Sequence, residues 1–111
     1  MNTPYVVDRK RWSKLSIFEM MGNIYSEVGR SFTAKRRNDT TSCEQAMTRA
    51  IDLFDATTDS LIANRSAKAR EVLRAKEEYL NLLYTKDVDP KSQESLDRYF
   101  MQFAVAARLV R

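Results

Sequence analysis

Glycine and proline interrupt this chain only four times in 111 residues, and both glycines, Gly22 and Gly29, fall inside a stretch of helical periodicity. A chain so poor in turn residues is confined to a few long elements joined by short connections. Ile17, Met21, Ile24, Val28 and Phe32, with Phe18 and Tyr25 alongside, recur at helical spacing and define one apolar face. Ser16 and Glu19 have the separation of a capping box, in which hydroxyl and carboxylate each take a backbone N–H. Lys35, Arg36 and Arg37 place cations where the negative end of the dipole falls. A first helix is predicted over residues 16–37.

Three more helices follow from the same reasoning. Thr41 and Glu44 have capping-box spacing, and Cys43, Ala46, Met47, Ala50, Ile51 and Phe54, with Leu53 at the edge, give a stripe over about 42–59. Residues 58–65 are expected to connect. Asn64 or Ser66 caps a third helix, about 66–85, with Ala69, Val72, Leu73, Tyr79, Leu80 and Leu83 on one side. Thr85 to Lys91 is the longest loop. Ser92 opens the last helix, about 92–109, with a main stripe of Leu96, Tyr99, Phe100, Phe103, Ala104, Ala107 and Val110. Short connections make neighbours antiparallel. The expected fold is therefore all-α, a four-helix up-and-down bundle over residues 16–111 preceded by an irregular basic N-terminal arm, residues 1–15. Trp12 and Leu15 are expected to fold back as a plug over the first helix.

A single cysteine excludes an internal disulfide and suits a reducing compartment. No apolar run approaches the ~20 residues of a membrane span, and the N-terminus lacks the apolar core of a secretory signal. The expected location is cytoplasmic. Charge is uneven. Residues 1–37 hold eight Lys/Arg against three Asp/Glu, and residues 38–65 hold two against five. That asymmetry suits nucleic acid, helix–helix attraction or head-to-tail stacking.

Four features carry functional readings. Gly22, Ser26 and Gly29 form a strip of small residues, expected to receive a tightly packed neighbouring helix, with a ligand groove as the alternative. Asn23, Glu27 and Arg30 lie on the opposite flank. Lys76 falls inside an apolar stripe and needs either an extended stem reaching solvent or a carboxylate; Glu27 is the first expected partner and Asp55 the second. Asp52, Asp55 and Asp59 share one helix face, but without histidine or a glycine-bent loop they read as a solvated face rather than a Ca²⁺ or Mg²⁺ site. Met101, Val105 and Leu109 form a second apolar set on the last helix, bordered by Arg98, Gln102 and Arg108. A peripheral helix needs one apolar face, so this helix is expected to be central or to meet another chain.

The chain has no histidine, which removes the usual general base, the commonest metal ligand and any Ser-His or Cys-His arrangement. No glycine-rich phosphate loop is present, and Cys43 reads as a small core residue. No catalytic residue, metal or cofactor is expected, and the balance is against an enzyme.

The run Trp12-Ser13-Lys14-Leu15-Ser16, then Met21-Gly22-Asn23-Ile24-Tyr25-Ser26-Glu27-Val28-Gly29-Arg30, resembles a family of short helical prokaryotic proteins with no assigned activity. Ala50 to Asp55, Glu71 to Glu77 and Arg98 to Ala104 fit as well, so the likeness covers nearly the whole chain from Trp12. In that family cations at positions 74 and 76 and the Asn-x-x-Ser-Glu-Val core recur, and the resemblance implies a helical fold without a mechanism. A looser likeness is to the HEPN domain, a four-helix bundle that acts as a ribonuclease toxin or as partner of small nucleotidyltransferases. Its ribonuclease forms use an arginine followed by a histidine, which this chain lacks; only the partner role carries over, by analogy of fold.

The leading expectation is a non-enzymatic interaction module. It self-associates or docks a protein partner through Arg98, Met101, Gln102, Val105 and Leu109. One alternative is nucleic-acid binding through Arg9, Lys10, Arg11, Lys35, Arg36 and Arg37. The other is a small-ligand binder or enzyme on the Gly22–Gly29 flank, using the polar cluster Asn23, Glu27, Arg30 and Lys76.

Overall fold

A computed structural model describes residues 6–86 and 89–109. Asp87 and Val88 of the expected loop, and Val110 of the last stripe, lie outside the described residues. The chain is all-helical: α1 (Arg9–Trp12), α2 (Ile17–Arg36), α3 (Thr40–Ala63), α4 (Lys68–Tyr84) and α5 (Pro90–Leu109). No strand occurs among the described residues.

The start of α2 is built as its sequence predicts. The Glu19 N–H donates to Ser16 Oγ at 3.1 Å and the Ser16 N–H donates to Glu19 Oε1 at 3.0 Å. Its end uses Asn38 in the left-handed region, φ 58°. There the Asp39 N–H reaches back to the Ala34 carbonyl at 2.9 Å and the Asn38 N–H to Lys35 at 3.0 Å. This pair of bonds is a Schellman closure, and asparagine adopts the left-handed conformation at low cost.

Helix α3 differs from expectation at both ends. Its cap is Asp39, whose Oδ1 accepts the Ser42 N–H at 3.1 Å, rather than Thr41 with Glu44. A carboxylate placed directly after the preceding closure satisfies the positive end of the helix two residues earlier. At the other end the helix continues through the expected connection to Ala63, because Thr57, Thr58 and Leu61 extend the buried stripe of Ala50, Leu53 and Phe54. A second Schellman closure ends it, with Ser66 N–H to Leu61 O at 2.9 Å and Arg65 held at φ 55°. In α5, Pro90 occupies the first turn and Asp89 accepts the Lys91 N–H at 3.2 Å.

Most of the core sits where α2 packs on α3, with α4 and α5 closing it. Met21, Ile24, Val28, Phe54, Val72, Tyr79 and Leu96 are fully buried. Each contributes about 1.5–3 kcal/mol of apolar burial. Phe54 lies between the rings of Tyr79 at 6.0 Å and Phe100 at 6.2 Å, which ties α3 to α4 and α5.

The N-terminal arm is not irregular throughout. Residues 9–12 form one helical turn capped by Asp8. Trp12 is buried, and its indole N–H donates to Thr57 Oγ1 at 3.0 Å, so it plugs onto α3. The Thr57 hydroxyl in turn donates to the Leu53 carbonyl at 2.8 Å, which leaves its lone pairs free for the indole.

Candidate functional site

The face of α5 opposite the core is apolar and open. Leu96, Phe100 and Phe103 turn inward and are buried, whereas Met101, Val105 and Leu109 are 45%, 51% and 80% exposed. The helix is therefore peripheral, not central. Arg98, Gln102 and Arg108 are exposed beside the row, and so is Ala104, which was expected on the buried stripe. The two faces arise from one 20-residue helix in which apolar residues recur both at the core spacing and at i, i+4 and i+8 outside it.

The small-residue flank of α2 receives no helix. Gly22, Ser26 and Gly29 are exposed, and a Cβ built on either glycine would meet nothing within 4 Å. The expectation of close packing is overturned. Both glycines have ordinary negative φ, so neither conformation nor contact in this chain requires them.

The expected polar cluster divides into separate sets. Glu27 is buried between two arginines: Arg30 Nη1 donates to its Oε1 at 2.7 Å and Arg49 Nε to its Oε2 at 3.0 Å. Arg49 comes from α3 and was not singled out in the sequence, because a lone arginine on an acidic helix carries no signal until its partner's position is known. Asn23 turns back to the Glu19 carbonyl at 2.8 Å. Lys76 pairs with Asp55 at 2.7 Å rather than with Glu27. Asp55 and Lys76 lie on the facing flanks of α3 and α4, whereas Glu27 faces the other side of α3. Glu27 and Lys76 therefore belong to separate ion pairs.

The acidic face of α3 is only partly solvated. Asp52 accepts the Val7 N–H at 2.6 Å and pairs with Arg9 at 3.0 Å. With Asp55 held by Lys76, Asp59 is the exposed member.

The six basic residues proposed for nucleic acid do not merge into one patch. Arg9 is engaged with Asp52, and Lys10 and Arg11 lie beside it on α1. Lys35 sits at the opposite end of α2, where its ammonium donates to the carbonyls of Leu83, at 2.5 Å, and Thr85. It caps the negative end of α4. The Arg36 guanidinium donates to Thr33 Oγ1 at 3.3 Å, and Arg37 is the C-cap of α2.

A cavity of about 450 Å³ opens where α2 ends, α3 begins and α4 ends, lined by Lys35, Cys43, Met47, Leu83 and Tyr84 among others. Burial pushes the Cys43 thiol above its ordinary value, against a smaller opposing pull from Lys35. That is the reverse of what activates a nucleophile. No protein-family model, no curated protein and no solved structure matches the chain. What the sites can do is read from their own residues.

Proposed function

We propose that the chain is a non-enzymatic, cytoplasmic interaction module, a four-helix up-and-down bundle that self-associates through the outer face of α5. The observation that supports this reading is the row Met101, Val105 and Leu109, exposed along a long helix whose opposite face is buried in the core. Exposed apolar side chains scattered singly need no explanation, but a row along one helix is a contact surface.

A second copy of the same chain is the occupant that the charges favour. Glu94, Met101 and Arg108 are spaced by seven residues, as are Arg98 and Val105, and Gln102 and Leu109. A seven-residue repeat keeps one seam against a partner helix. Two α5 helices laid antiparallel and centred on Met101 set Glu94 of each copy opposite Arg108 of the other. The acid then lies near one helix N-terminus and the arginine near the other C-terminus, as the dipoles prefer. The seam is one helix long, about 30 Å, so the contact belongs at the small end of interfaces and dissociates on dilution.

The test is light scattering after size exclusion over a dilution series, for the natural chain and for Met101→Glu/Val105→Glu. The reading expects a dimer that falls to 12.9 kDa on dilution, and a monomer at every concentration for the variant. An unchanged mass in the variant contradicts it.

A further inference from the structure

A different surface carries a ligand site. Between the C-terminal half of α2 and the N-terminal half of α3 runs a groove of about 510 Å³ lined by Arg30, Arg37 and Arg49. We propose that this groove binds a small polyanion, a phosphorylated molecule carrying at least two negative charges, through those three arginines.

The arrangement is selective for such a ligand. Three guanidinium groups face a single lining carboxylate, Asp39, and that carboxylate already accepts the Ser42 N–H as the cap of α3. Glu27, beside the groove, fixes two of the arginines, Arg30 by Nη1 and Arg49 by Nε. A guanidinium has five N–H donors in a planar fork, so each keeps donors for a second anion while its position is set by the first. Arg37 forms no ion pair among the described residues. The two turns of α2 between Arg30 and Arg37 separate those two charges by about 10 Å along the groove, which suits more than one anionic group.

Gly29 lines the same groove, and a Cβ there would meet nothing within 4 Å. Its missing side chain leaves the groove wider than any other residue would. The volume lies within the ~300–1,000 Å³ of small-molecule sites. The groove spans only the facing halves of α2 and α3, a size that suits a compact ligand rather than a long strand.

The experiment is calorimetric titration with inorganic pyrophosphate at physiological ionic strength, on the natural chain, on Arg37→Gln and on Gly29→Glu. Arg37 is exposed at the end of its helix, so its replacement leaves the core intact, and circular dichroism checks this for both variants. The expected result is saturable one-to-one binding that weakens about tenfold or more in Arg37→Gln, the loss of one charged hydrogen-bonding group. Gly29→Glu, which adds a carboxylate at the groove's edge, weakens it as well. Absent pyrophosphate binding, equal affinity in the natural chain and Arg37→Gln, or binding confined to a single-stranded oligonucleotide overturns the proposal. The groove is on α2 and α3, so none of these outcomes bears on the α5 contact.

Discussion

The Tyr79 hydroxyl donates to Ser31 Oγ at 2.7 Å, with both residues fully buried between α4 and α2. The Ser31 hydroxyl itself donates to the Val28 carbonyl at 2.7 Å, so a two-step chain satisfies both hydroxyls. Tyr99 on α5 has no such partner: its buried hydroxyl is unsatisfied among the described residues. The same substitution therefore has opposite signs at the two positions. Tyr79→Phe removes the bond donated to Ser31 Oγ and lowers stability by about 1 kcal/mol, whereas Tyr99→Phe removes an unpaired hydroxyl and raises it by a similar amount. Urea unfolding of both variants checks the pair, and equal signs would refute the assignment.

Alkaline pH should unfold the protein through these same groups. Burial, the largest cause, pushes both tyrosines up to about 12 from 10.0; the Ser31 bond opposes it at Tyr79, and the Glu71 charge adds to it at Tyr99. A folded-state value above the unfolded one means that the unfolded chain releases its proton first. The contribution is fully present below pH 10 and is lost as pH rises through about 12. For the fully buried Tyr79 it amounts to roughly 2–3 kcal/mol. The urea midpoint is expected to fall over that window and to fall less in Tyr79→Phe; a flat profile would contradict the burial.

Gly22→Ala and Gly29→Ala should each stabilise the chain. Both sites are exposed helix interiors with open space where the methyl would go. Alanine is favoured there by about 1 kcal/mol. Thermal unfolding would show a higher midpoint for each, and a drop at either site would mean that something approaches the backbone closely after all.

How much of this was legible beforehand depended on which signal each feature uses. Helix α2 is capped by local pairs, Ser16 with Glu19, and those read directly from spacing. The end of α3 did not, because Arg65 takes the left-handed position where a glycine would have marked the boundary, and Thr57 and Thr58 continue a buried stripe with hydroxyls. Lys76 announced a need for a carboxylate, but the choice between Asp55 and Glu27 depends on which flanks of α3 and α4 face each other. Spacing within one helix does not encode that. The outer row of α5 was visible as a second apolar set; its exposure became definite only with the position of the helix at the edge. Arg49 and the arginine groove had no sequence signal, since the groove exists only across two helices.

Arg65 offers a local check on that account. A non-glycine residue in the left-handed region costs about 1–2 kcal/mol, and here the conformation, φ 55°, closes α3. Arg65→Gly is expected to raise stability by about 1 kcal/mol in urea unfolding. A loss would show that the arginine side chain contributes more than its backbone costs.

The most direct measurement of the central claim is site-directed cross-linking in the Cys43→Ser background, where the chain's single natural thiol is removed. Met101→Cys lies at the centre of the proposed antiparallel seam, and Glu77→Cys, exposed on α4, serves as the control. Self-association through α5 predicts rapid oxidation of the Met101→Cys protein to a cross-linked dimer while the Glu77→Cys protein remains monomeric. Equal, slow cross-linking at both positions would contradict it.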